Sequence, residues 1–231
     1  MDYAQQSQAL ISKISAVAVG SGASTAAKMA EASDPLLEWI GYLSHSQLTG
    51  CCDFQLDGIR SLVLESVSSA SIGLYRSSIL AMRGQIDLAF GWLFFKNHPI
   101  EWARVVREGE GFKLKRGSLE YLNENLVNFQ SAFQSLRASS KFGDNDPYKI
   151  LSAHIHSIGL VALPKYAAFE DIIGDVAAID ACVEMQGKVS EFISDIFLSS
   201  FGSSWASLPE VIMEDAKLRL VPAKLAVVTH C

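Results

Sequence analysis

Apolar positions along this chain recur at steps of three and four far more often than at steps of two, the period of helices rather than of strands. A first helix is predicted over Ala4 to Val19. The small-residue run "GSGAST" at 20–25 then reads as a flexible joint. In "SDPLLEWIGYL", Asp34 is placed to cap a helix, Pro35 suits its first turn, and Leu36, Leu37, Ile40 and Leu43 form its apolar stripe. From about Asp57 to Lys96 the pattern predicts two helices, or one that bends near "SVSSAS". His98 and Pro99 close that region, because the residue before a proline is pushed out of the helical conformation.

A short helix and a loop follow, punctuated by Gly109, Gly111 and Gly117. Ser118 is placed to cap one continuous amphipathic helix carrying Leu119, Leu122, Leu126, Phe129, Phe133 and Leu136. The turn "KFGDNDP" leads to a helix over 148–163 that Pro164 ends or kinks. A last long helix carries Ile172, Val176, Ile179, Val183, Val189, Phe192 and Ile196. Beyond Pro209, "KLRLVPAKLAVVTHC" is open between helix and extended chain.

The expected fold is therefore all-α: five to six long helices in an up-and-down bundle, with a short N-terminal helix and an irregular C-terminal tail. One domain over 1–231 is the simplest division, with 1–33 a peripheral segment, 34–205 the bundle and 206–231 the tail.

The segment Ile72 to Phe95 approaches membrane-spanning length, but it holds Arg76, Arg83 and Asp87. Each charge at a bilayer centre costs roughly 2.5–3.5 kcal/mol, so a buried helix is expected there. At 231 residues, 49% of them hydrophobic, the chain has ample material for a core. A net charge of −6 restricts any nucleic-acid contact to a local basic surface. Cys51, Cys52, Cys182 and Cys231 form no CxxC, and the N-terminus shows no secretory apolar region. Reduced thiols and a cytoplasmic location are expected, with no membrane partner.

On the central helix, one face carries Ile72, Tyr75, Ile79, Met82, Ile86, Ala89, Phe90 and Leu93, and a second carries Leu74, Ala81, Leu88, Trp92 and Phe95. A helix apolar on two sides is buried between neighbours. Arg76, Arg83 and Asp87 share the remaining strip, where Arg83 and Asp87 are spaced for an intrahelical ion pair and the arginines for phosphate binding.

On the helix of residues 148–163, His154 falls within the apolar face of Ile150, Leu151, Ile155, Ile158, Val161 and Ala162, and is expected in the core. His156 points about 200° away, beside Lys149 and near Ser152. The two histidines cannot form one site within the chain, and no HxxxH spacing supports a metal, so neither a metal nor a cofactor is expected. "REGEGF" is not a phosphate loop, and the serine-rich stretches lack a nucleophile-elbow context.

Together, "GLYRSSILAMRGQIDLAFGWLFFKNHPIEW", "YLNENL" and "YKILSAHIHS" resemble the HEPN-like helical proteins of prokaryotes. The residues that carry the resemblance are Arg83 and Asp87, then Phe94, Phe95, His98 and Pro99, then Tyr148, Leu151, Ser152 and His156, within roughly residues 57 to 200. The resemblance implies an all-α bundle that pairs as a homodimer, found in toxin–antitoxin and anti-phage systems. Many members are metal-independent ribonucleases with an arginine four to six residues before a histidine. No arginine precedes a histidine at that spacing here, and Lys149 before His156 is the nearest substitute. The implied catalytic set is His156, Lys149 and Arg83, with Arg76, Asp87, Ser152 and Tyr148 contacting RNA. The alternative is an inactive structural or regulatory subunit that binds a partner protein of the same defence system.

Overall fold

A computed structural model describes residues 2–111, 115–143, 145–157 and 163–229. The fold is all-α, with no strand among the described residues. In chain order the helices are α1 (Tyr3–Val17), α2 (Ala23–Ser46), α3 (Phe54–Ser71), α4 (Tyr75–Phe95), α5 (Pro99–Glu108), α6 (Lys115–Asn125), α7 (Phe129–Arg137), α8 (Pro147–Ile155), α9 (Val176–Phe201), α10 (Glu210–Arg219) and α11 (Pro222–Thr229).

The chain divides into two compact units. The first comprises Met1–Ser33, Ser61–Gly84 and Asp146–Val189, and the second Asp34–Arg60, Gln85–Asn145 and Ser190–Cys231. In the first unit, Val63, Ala70, Ile79, Met82, Leu151, Ile173, Ile179, Cys182 and Val189 are buried. A polar thread runs through them: Ser78 Oγ donates to the Ser66 carbonyl (2.9 Å), and Ser66 Oγ to Gln186 Oε1 (2.9 Å). Such pairing is what lets buried hydroxyls and amides sit in an apolar core without a desolvation penalty.

The second unit is centred on aromatic side chains. Trp39 and Trp92 both meet Phe197, with ring centroids 5.7 and 6.1 Å apart, and all three are fully buried. A buried Phe contributes roughly 1.5–3 kcal/mol, and ring pairs at these separations add about 0.5–1.5 kcal/mol.

The two-sided apolar pattern of α4 matches its burial: Ile79, Ala81, Met82, Ile86, Ala89, Phe90, Trp92, Leu93 and Phe95 are all enclosed. In the turn between α3 and α4, Gly73 has a φ of +83°, which only glycine adopts readily. At the other end α5 begins at Pro99, with His98 immediately before it.

Four sequence expectations are corrected. The "GSGAST" run is not a joint: a π-helical turn, Ala18–Gly22, carries α1 directly into α2. Its small residues permit close packing, since a Cβ on Gly22 would sit 2.7 Å from the Ser71 carbonyl oxygen. Asp34 and Pro35 lie inside α2 rather than at a start, and the Leu36 N–H donates to Ser190 Oγ (3.2 Å). The amphipathic run after Ser118 is two helices, broken where Asn128 takes a left-handed conformation (φ +60°). The stretch after Pro209 is helical, because Ile212, Ala216, Leu220 and Val228 are buried at helical spacing across α10 and α11.

One helical stretch among the described residues, Tyr3–Ser46, is long and apolar enough by composition to cross a membrane.

Candidate functional site

Helix α8 is built to stop and start sharply. Asp146 caps it by accepting from the Tyr148 N–H (3.1 Å), and Pro147 occupies the first turn, where its missing N–H costs nothing. Ser157, with φ +51°, follows immediately after its end. Pro147 and Leu151 anchor the helix in the first unit.

Two arginines of α4, seven residues and so about two turns apart, hold α8. The Arg83 guanidinium lies flat over the Tyr148 ring at 3.5 Å from its centroid, and its Nε donates to Ser152 Oγ (3.1 Å). Arg83 is 9% exposed. Arg76 Nη2 donates to the His154 carbonyl (2.9 Å), capping the negative end of the α8 dipole.

Beside this contact lies a cavity of about 240 Å³ lined by Arg76, Ser77, Ile79, Leu80, His154 and Ile155. His154 Nδ1 is buried there with no hydrogen-bond partner among the described residues. Burial, and secondarily the Arg76 charge, lower the His154 pKa from its ordinary value, so the ring is neutral at pH 7. Burial and the adjacent Tyr75 hydroxyl push the Tyr166 phenol up, while Arg76 pulls it the other way. A cation and a neutral imidazole therefore share one groove.

Of the residues singled out in the sequence, Arg83, Tyr148 and Ser152 come together, and Arg76 joins α8 one turn further on. His154, expected in the core, is only partly buried and lines the groove. Its expected neighbours Ile158, Val161 and Ala162 lie outside the described residues. Lys149 and His156 are exposed, and α8 ends one residue before His156, so the helical face expected to hold both does not extend to it. Asp87 sits on α4, partly buried. His98 is a packing residue: it stacks on Phe94 (centroids 4.2 Å apart), its Nδ1 lies 2.7 Å from the Phe94 carbonyl, and Tyr121 meets it edge-on.

Burial pushes the Cys51 thiol up, the Cys52 thiol up to about 12 and the Cys182 thiol up to about 11, so all three are protonated at neutral pH and poor nucleophiles. Among the described residues no group of three or more His, Cys, Asp or Glu side chains is placed to hold a metal ion.

A second polar constellation, in the second unit, went unread in the sequence. Asp195 is fully buried on α9; it accepts from Arg219 Nη2 (2.5 Å) and Arg137 Nη1 (3.3 Å). Glu191, one turn earlier, accepts from Ser140 Oγ and from the Lys141 N–H (3.1 Å). Asp215 lies 3.0 Å from Arg219 Nε and 2.6 Å from Lys141 Nζ. The available signal was local: "SEFISDIF" puts two carboxylates four residues apart among Phe192, Ile193, Ile196 and Phe197, in a stretch of α9, 189–199, that is buried throughout. Charges in such a position require partners.

No family model, no curated protein and no solved structure matches this chain.

Proposed function

We propose that the Arg76–His154 groove binds the phosphodiester backbone of single-stranded RNA. On this reading the chain is a HEPN-like component of a prokaryotic defence or toxin-type system, acting in the cytoplasm as a homodimer alongside a partner protein. The observation that carries the proposal is that the Arg76 guanidinium and the His154 imidazole line one groove.

The chemistry needs only side chains. A neutral imidazole can accept a proton from a ribose 2′-hydroxyl as its oxygen attacks the phosphorus, and return that proton to the 5′-oxygen as the P–O5′ bond breaks, leaving a cyclic 2′,3′-phosphate. A fixed guanidinium can stabilise the charge that develops on the phosphate. Relative to the sequence reading, the reactive imidazole moves from His156 to His154, and the cation from Lys149 to Arg76. Arg83 becomes a positioning residue, since its stack on Tyr148 and its bond to Ser152 set the place of α8.

A labelled single-stranded RNA incubated with the protein in EDTA tests this. Wild type is expected to cleave, with His154→Ala reducing the rate by about 10²- to 10⁴-fold at near-normal binding. Arg76→Ala is expected to weaken both binding and cleavage, and His156→Ala to change either by no more than about twofold. Loss of cleavage in His156→Ala with His154→Ala active would overturn the assignment.

The second reading is an inactive structural or regulatory subunit, and the engagement of Arg83 in purely internal contacts favours it. RNA binding without cleavage by wild type, unaltered in His154→Ala, would select that reading.

A further inference from the structure

The second unit contains a cavity of about 100 Å³ at the edge of the buried ion network, lined by Pro35, Trp39, Ser194, Leu198, Val211, Ile212, Asp215 and Arg219. Most of this wall is apolar. Its polar end is unusual: Ser194 is 7% exposed and its Oγ has no hydrogen-bond partner. Arg219, 3% exposed by side chain, spends Nη2 on Asp195 but leaves Nε and Nη1 without a hydrogen bond. These two nitrogens approach Asp215 (3.0 Å) and Glu191 (3.5 Å) closely enough to share charge, yet are not aligned to donate. At this cavity the Ser194 hydroxyl thus has no acceptor among the described residues, and Arg219 holds its carboxylates by charge with only Nη2 in an aligned hydrogen bond. Leaving buried donors unmet is costly, so the site is incomplete as built.

Charge narrows what would complete it. Around the cavity and the network it adjoins, Arg137, Lys141 and Arg219 face Glu191, Asp195 and Asp215, three cations against three carboxylates. A charged ligand would bring one uncompensated charge into a low-dielectric site, whereas a neutral acceptor would not. Size narrows it further: a 150 Å³ apolar cavity accommodates benzene, so this one fits roughly four or five non-hydrogen atoms. We propose that the cavity is a binding site for a short, uncharged aliphatic molecule carrying one carbonyl acceptor. Its oxygen accepts from Ser194 Oγ and Arg219, and its alkyl end packs on Trp39, Leu198 and Ile212.

Three probes of similar size test the site on the full chain, read through the Trp39 indole N–H resonance: propionamide, propionate and propylammonium. Propionamide is expected to shift the resonance saturably, with the two ions binding about tenfold more weakly or worse. Ser194→Ala is expected to weaken propionamide by about tenfold. Val211→Phe changes a residue at the exposed rim, where folding is not at stake, and is expected to abolish the shift by filling the mouth. Any of three results overturns the proposal: no saturable shift in wild type, an equal shift in Val211→Phe, or binding of either ion as tight as that of propionamide.

Discussion

Burial decides the behaviour of single residues here more than identity does. Asp195 shows it best: enclosure in the second unit pushes its pKa up from 3.8 to about 6, against the opposing pull of Arg219 and Arg137. Because the folded value is above the unfolded one, the folded state holds this proton more tightly. The group's stabilising contribution is therefore fully present below about pH 4 and is lost as pH rises through about 6, a change on the order of 3 kcal/mol. Asn cannot titrate, so the unfolding free energy of wild type minus that of Asp195→Asn is expected to fall across this window when both are followed by urea denaturation. A difference that stays flat, or rises with pH, would count against it. The His154 pKa shifts down instead of up, though burial again favours the neutral form, and a neutral imidazole is usable as a base. In the structure α8 ends at Ile155, and the two histidines of "KILSAHIHS" differ because His154 lines the groove while His156 is exposed. The sequence placed them on opposite sides of a helix. Which of the two meets an arginine was not readable there, because the partner, Arg76, is 78 residues away and its choice depends on how α8 docks.

At the scale of elements, strong periodicity was legible and punctuation was less so. The two apolar faces of α4 predicted its burial, because a helix apolar on two sides packs between neighbours and leaves only a narrow polar strip. Small residues misled in "GSGAST", since close approach and flexibility favour the same composition. The two roles differ in what a methyl group does. Gly22→Ala is expected to lower stability by about 1–3 kcal/mol, because its Cβ meets a backbone carbonyl that cannot move aside. Gly20→Ala, with nothing within 4 Å, is expected to raise stability by about 0.5–1 kcal/mol by removing backbone freedom. Equal denaturation midpoints for the two variants would restore the flexible-joint reading. The break at Asn128 escaped notice because the apolar spacing continues in phase across it, and only the left-handed conformation of one residue divides α6 from α7. The helices after Pro209 escaped because α10 is too short and too charged to show a clear stripe, and its Ile212 and Ala216 make sense only against the rest of their unit.

Across the whole molecule, helical class and core composition were legible because they follow from pattern and length, while the candidate site follows from pairings distant in sequence. Each unit has its own polar solution to burial: in the first, serine and glutamine hydroxyl and amide groups satisfy one another, and in the second, carboxylates and guanidinium groups do. The first unit also holds the groove where Arg76 meets the end of α8, and the functional reading rests on that place alone. The most direct test is to follow the imidazole resonances of His154 and His156 while adding a short single-stranded oligoribonucleotide. The account predicts a saturable shift at His154, lost in Arg76→Ala, with His156 nearly unmoved. Saturable binding that moves His156 and leaves His154 unchanged would contradict it.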